Sequence, residues 1–253
     1  MRGVALRLAA ALLLASIPSS PRAALSPEAT LEDCDALVRA HPDEKDSYRC
    51  YYEVARRRAV WDDAERRLQT HRASSDYALV MLAVLTSARG RADEAQGLYR
   101  EAIAAFAARG NRAEEGLARL GLARTLRRAG RAAEAAVELD GAEALGQATG
   151  DRALVSWVRL ERASQLEAEG RDYGAAYRLL RQVETDAFPD GPYQLRINCL
   201  GALARLTQFL GRNQESLASL RRVEETARAA GDKANVAVAL TNRLYMELDL
   251  VGE

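Results

Sequence analysis

The chain has 253 residues, with 36 basic and 36 acidic side chains and no formal net charge. Hydrophobic residues make up 48%, enough to bury a core, which excludes wholesale disorder. The balanced charge leaves no electrostatic footprint for nucleic acid or an anionic membrane, and two histidines leave little room for a histidine-rich metal site or triad.

Residues 1–24 differ in kind from the rest. Arg2 and Arg7 precede an uncharged apolar run from Leu8 to Ile17, and Ser and Pro follow. This order of positive, apolar and polar regions predicts a signal peptide. The run is too short to span a bilayer, which takes about 20 apolar residues. Cleavage after Ala23 or Ala24 would place the protein in the periplasm or outside a bacterial cell. A retained anchor is the alternative, and membrane association is expected only in that case. Loss of Arg2, Arg7 and Arg22 leaves 33 basic against 36 acidic side chains, near −3. Of the three cysteines, Cys34 and Cys50 can bridge in an oxidising compartment and staple the first helices. The other reading is that Cys34, Cys50 and Cys199 are three buried thiols. Their spacing fits no zinc pattern.

Internal repetition organises the remainder. Gly-Arg recurs at Gly90-Arg91, Gly130-Arg131, Gly170-Arg171 and Gly211-Arg212, and Gly252-Glu253 takes the next slot. A second series, Gly110, Gly150, Gly191 and Gly231, falls between them. The period is about 40 residues with two punctuation points, and each segment between glycines holds one helix and a turn. None of the six prolines falls within the expected helices, where proline costs about 3 kcal/mol. The loop Phe188-Pro189-Asp190-Gly191-Pro192 is expected to account for a one-residue drift in the period.

A small residue recurs five positions after the turn glycine, and a large one four positions later. The instances are Ala95 and Tyr99, Ala135 and Leu139, Ala175 and Leu179, then Ser216 and Leu220. Two antiparallel helices joined by a tight turn approach closely only where a small side chain faces the neighbour. Ala83 and Ala95 are expected to form such a crossing, with Tyr99 filling the space beside it. Gln182 departs from the pattern, standing where a small residue is expected. The segment around Trp61 matches least: Ala64 and Leu68 fit, but Ala59 replaces the turn glycine.

Together these residues resemble the tetratricopeptide repeat in a variant with a period of 40. The resemblance covers roughly residues 45–253 and implies an all-α fold, a right-handed α-solenoid of stacked antiparallel helix pairs. The expected organisation is a capping helix in 25–44, then repeats over 45–75, 76–115, 116–155, 156–196 and 197–237, with a partial repeat in 238–253.

The resemblance also implies a function: a non-catalytic scaffold that takes a protein or peptide ligand on the concave face lined by the first helix of each pair. By that likeness the face takes Tyr77, Val80 and Val84, then Leu117, Leu120, Arg124 and Arg128. Trp157, Leu160 and Ser164 follow, then Asn198, Arg205 and Gln208. Arg124, Arg128 and Arg205 are candidates to pair with an acidic ligand. No lysine occupies a concave slot, so a lysine-and-asparagine clamp for a terminal carboxylate is not assigned.

Nothing points to catalysis. The sequence has no phosphate-binding loop, zinc signature or serine elbow, and no cofactor, metal or small-molecule substrate is expected. His41 and His71 read as surface or helix-end residues. Asp62-Asp63 and Glu114-Glu115 read as acids favouring helix N-termini. In the last segment, Val236, Val238, Leu240, Leu244, Leu248 and Leu250 leave one face apolar. The expectation is that a partner, or further chain, covers it. Exported proteins of this architecture resemble the front halves of bacterial proteins with a caspase-like CHAT peptidase domain. The alternative function is therefore an N-terminal regulatory segment of a larger exported enzyme.

Overall fold

In the computed structural model, residues 26, 28–170 and 172–251 are described. The expected signal peptide, Arg171, the Gly252 turn and the Leu250 side chain lie outside the described residues. Among these residues there are twelve α-helices and no strand. The first six are α1 (Leu31–Ala40), α2 (Lys45–Arg58), α3 (Trp61–His71), α4 (Asp76–Ala88), α5 (Ala92–Ala108) and α6 (Arg112–Arg128). Then come α7 (Ala132–Thr149), α8 (Arg152–Glu169), α9 (Tyr173–Ala187), α10 (Tyr193–Phe209), α11 (Asn213–Ala229) and α12 (Lys233–Val251). The chain forms two compact units that divide within α8, after Val155. In the first unit helices neighbouring in sequence pack together, as do α2 with α4 and α4 with α6. In the second unit α9, α10, α11 and α12 pack in chain order.

The glycine punctuation has a backbone cause. Gly90, Gly130 and Gly211 each follow the last residue of a first helix by two positions and adopt a left-handed φ of 72–81°. A Cβ at any of the three would meet nothing within 4 Å, so the requirement is conformational and not one of space. Ala59 stands where that glycine is missing and still turns left-handed, at φ 57°. Gly191 serves differently: a Cβ there would lie 2.5 Å from the Ala187 carbonyl oxygen.

The arginine of the Gly-Arg pair has its own role. Arg91, Arg131 and Arg212 occupy the N-cap positions of α5, α7 and α11. Each pairs with the acid three residues on, Glu94, Glu134 and Glu215. Each also reaches the second helix of the preceding pair. Arg91 bonds Glu65 of α3, Arg131 donates to the Gln96 side-chain carbonyl of α5, and Arg212 lies 5.0 Å from the Tyr177 ring of α9. The repeated dipeptide therefore turns the chain and ties one pair to the next.

The core follows the small-and-large pattern in three pairs. Ala83, Ala95, Tyr99, Ala135, Leu139, Ser216 and Leu220 are all buried. In α9 the pattern slips by one. Ala175 and Leu179 are half-buried, whereas Ala176 and Leu180 are 0% and 1% exposed. The cause is an added residue before α9. Helix starts are 20 residues apart from Ala92 to Arg112, Ala132 and Arg152, but Arg152 to Tyr173 is 21. From Tyr173 the spacing returns to 20 at Tyr193, Asn213 and Lys233, so the drift does not arise in the Phe188–Pro192 loop as expected. Asp172 takes the N-cap position and accepts the Ala175 N–H at 2.7 Å. With the slip, Val183 falls on the core position at 0% exposure and Gln182 points to solvent. A second correction concerns boundaries. The expected divisions at 115/116, 155/156, 196/197 and 237/238 fall inside α6, α8, α10 and α12, because each first helix begins about four residues earlier.

The N-terminal end is tied down separately. Thr30 and Asp33 form a reciprocal capping box at the start of α1. Cys34 of α1 and Cys50 of α2 form a disulfide, while Cys199 is a buried thiol that donates to the Leu180 carbonyl. Arg67 of α3 bonds both Glu32 and Asp35 of α1, and Arg58 of α2 donates to the carbonyls of Glu28 and Ala29.

Candidate binding face

Helices α2, α4 and α6 lie side by side in the first unit, α4 between the other two. On α2 Lys45, Arg49, Tyr52 and Arg56 follow one another at spacings of four, three and four, with Tyr52 itself buried beneath the three cationic side chains. On α6 the same spacing gives Leu117, Gly121, Arg124 and Arg128. Between them α4 presents Tyr77, Val80 and Val84, all half-buried. Helical periodicity puts each set on one side of its helix.

The edges meet at one end. The Lys45 ammonium bonds the Glu114 carboxylate at 2.9 Å, joining the first turns of α2 and α6. Tyr77 lies beside this pair, and burial followed by the Glu114 charge pushes its phenol upward. At the far end of α4, the Ser87 and Thr125 hydroxyls are 3.2 Å apart and hold α4 to α6.

The middle is shaped from behind. Tyr99 of α5 packs against Gly121, where a Cβ would lie 2.5 Å from a ring carbon and 2.8 Å from the hydroxyl oxygen. Burial drives the Tyr99 phenol up to about 12, and the guanidiniums of Arg124 and Arg128 draw it back. Burial likewise pushes the Tyr52 phenol up; the Arg56 guanidinium opposes this, the Glu53 charge adds to it, and Arg128 and Arg49 oppose it more weakly. Two phenols and four guanidiniums therefore share one electrostatic neighbourhood.

Three residues expected to line a binding face do not. Leu120, Trp157 and Leu160 are 2%, 1% and 6% exposed and belong to the packed interior. Leu120 lies one position off the Leu117–Gly121–Arg124 stripe, which turns it into the seam. Trp157 and Leu160 lie among Leu154, Val158 and Ala163, which are also buried. In the second unit the remaining candidates have partners in their own fold. Arg205 grips Glu167 with two hydrogen bonds of 2.7 and 2.8 Å, which occupies the guanidinium proposed for an acidic ligand. Ser164 donates to the Leu160 carbonyl, and Asn198 accepts from Gln194 at 3.1 Å. Gln208 is exposed.

Sequence reasoning missed the α2 stripe, because residues 28–72 read as a cap and a divergent repeat. Its four-three-four spacing was the available signal. Both histidines have structural settings: His41 pairs with Glu44 at 3.2 Å, and His71 contacts the Tyr48 ring edge-on at 6.1 Å. Among the described residues no group of three His, Cys, Asp or Glu is placed to hold a metal, and no helix is long and apolar enough to cross a membrane.

No family model matches the chain, and neither does any curated protein sequence. Solved structures similar to it include two helical proteins. The crystal structure of the APC/C hetero-tetramer Cut9–Hcn1 aligns with a TM-score of 0.56 at 12% identity, over 87% of this chain and 43% of that one. BtubC from P. vanneervenii aligns with a TM-score of 0.47 at 14% identity, over 90% of this chain and 91% of that one. The chain thus spans less than half the length of the Cut9–Hcn1 chain it matches. At this identity the likeness speaks for architecture alone, and with the helix pairing and repeated turns above it shows an all-α, tetratricopeptide-like repeat fold.

Proposed function

We propose that this protein is a non-catalytic scaffold that binds a peptide or helix of a protein partner on the first-helix face. The observation that carries this reading is the α2–α4–α6 face. It places half-buried apolar side chains, Val80, Val84 and Leu117, beside aromatic and cationic ones on three packed helices. Affinity in such a site comes from a few desolvated anchors, not from the whole area. The repeat fold supports the reading, since stacked helix pairs give a continuous surface without a reaction centre. An exported location is part of the proposal. The Cys34–Cys50 disulfide supports it, because such bonds persist in oxidising compartments.

The test is affinity capture on immobilised protein from the envelope and secreted fractions, with Val80→Glu/Val84→Glu as control. The expected result is a discrete set of proteins held by the native chain and released by the variant. Retention no different from bare matrix contradicts the scaffold reading.

A second reading, regulation of an exported enzyme such as a CHAT-type peptidase, is favoured by a different observation. Leu244, Tyr245 and Leu248 of α12 are 57–63% exposed, an apolar stripe suited to a covering segment. Val236, by contrast, already packs against the core, and Val238 and Leu240 are half-buried.

A further inference from the structure

One side of α12 carries no charge and is exposed, and its composition says what fits there. Ala234, Ala237, Thr241, Leu244, Tyr245 and Leu248 are exposed, and Val238 beside them is half-buried. At about 100° per residue, all fall within about 60° of Thr241 around the helix. Val236, Ala239 and Met246 fall on the opposite side, where they share the core with residues of α10 and α11.

A following helix of the repeat kind does not fit this side as it fits the other first helices. Steps of 40, 40, 41 and 40 residues from Ala83 lead to Ala123, Ala163, Ala204 and Leu244. The four alanines are buried, and Ala204 shows what they face: its carbonyl accepts the Ser216 hydroxyl of α11 at 2.7 Å. Leu244 fills that crossing and keeps a second helix from the same close approach. Three residues on, Thr86, Leu126 and Thr207 are buried in α4, α6 and α10, whereas α12 has Glu247, paired with Arg243 at 3.5 Å.

The stripe is instead symmetric in spacing and opposed in size. Ala234 and Leu248 lie seven residues either side of Thr241, Ala237 and Tyr245 four, and Val238 and Leu244 three. The N-terminal member of each pair is the smaller. We infer that α12 pairs antiparallel with α12 of a second copy of this chain, with Thr241 at the twofold axis. That register sets Leu248 level with Ala234, Tyr245 with Ala237 and Leu244 with Val238, each contact made twice. The large side chains of one helix enter the grooves left by the small ones of the other. A single helix pair is small beside the about 800 Å² per partner of a standard interface, so dissociation in roughly the micromolar range is expected. The inference goes beyond the scaffold reading and does not use the α2–α4–α6 face, so the two fail separately.

Analytical ultracentrifugation of the full chain from about 1 to 200 µM is expected to show monomer passing into dimer. Leu244→Glu/Leu248→Glu, at two exposed positions, is expected to weaken dimerisation at least tenfold, with unchanged circular dichroism in dilute solution. Val137→Glu, at an exposed apolar position on α7, is expected to change nothing. Oxidation in a Cys199→Ala background reads the register. Thr241→Cys is expected to give a disulfide-linked dimer, since facing Cα atoms on helices about 8–10 Å apart come within disulfide reach. Ala234→Cys is expected not to, because the antiparallel register sets the two positions about 21 Å apart along the axis. Crosslinking at 234 as fast as at 241 overturns the inference. So does a monomer at 200 µM, a dimer indifferent to Leu244→Glu/Leu248→Glu, or assembly beyond the dimer. A monomer in which the thiol introduced at 241 resists labelling is covered by its own chain, and overturns it equally.

Discussion

The turn after Gly130 and the turn after Gly170 look alike in the sequence and act differently. After Gly130, one residue intervenes before α7, and Arg131 both pairs with Glu134 and reaches back to Gln96. After Gly170 there are two, and an aspartate caps α9 through the Ala175 N–H. The result is that position five past the glycine is core in α7, at Ala135, but half-buried in α9, at Ala175. Glycines count residues along the chain, whereas burial counts them from the start of a helix. One inserted residue before a helix turns each side chain of that helix by about 100° relative to a count made from the glycine.

The largest effect that sharpens this comparison comes from long charged side chains at the two registers. Ala135→Arg and Ala176→Arg each place a guanidinium at a fully packed position, and both are expected to lose about 3 kcal/mol or more in urea denaturation. Ala175→Arg is expected to lose less than about 1 kcal/mol, being half-buried. Truncation comes next. Leu180→Ala is expected to cost about 2–5 kcal/mol by opening a cavity, and Leu179→Ala markedly less. Equal costs at 179 and 180 would break the register difference.

Smaller effects test the turns themselves. Gly130→Ala and Gly170→Ala are expected to cost about 1–2 kcal/mol each, because both backbones are left-handed. Ala59→Gly is expected to gain up to about 1 kcal/mol for the same reason. Smallest is a pH effect at Asp232, which accepts the Asn235 N–H at the start of α12 much as Asp172 serves α9. Burial pushes its pKa up, but hydrogen bonds from Asn235 and Tyr193 outweigh that and hold it below the ordinary value of 3.8. Its stabilisation is therefore complete above that value and lost as the pH falls through the lower, folded one. Denaturation between pH 2 and 6 is expected to show this slope in the native chain and a shallower one in Asp232→Asn.

Helix content, pairing and turn positions were legible because glycine, proline and small-residue spacing act locally. The insertion before α9 was not, since Gly170-Arg171 is spelled like its three counterparts and only Asp172 signals another cap. Nor was the burial of Leu120, Trp157 and Leu160. A single helix stripe does not say which of two flanking neighbours covers it, and an aromatic on a first helix reads equally as anchor or core. Gly121 was passed over inside a helix, although its missing side chain is what makes room for the buried Tyr99 ring behind the binding face. Of that face, Tyr77, Val80, Val84, Leu117, Arg124 and Arg128 were found from the repeat. Lys45, Arg49 and Arg56 were not, because their segment matched the repeat least.

The account rests on side chains being buried by helix pairing in the register described. Thiol labelling of Ala175→Cys and Ala176→Cys, each in a Cys199→Ala background, tests this most directly. The account predicts that the thiol at 175 reacts readily in the native protein and that the one at 176 is protected until unfolding. Protection at 175 with reactivity at 176 would contradict it.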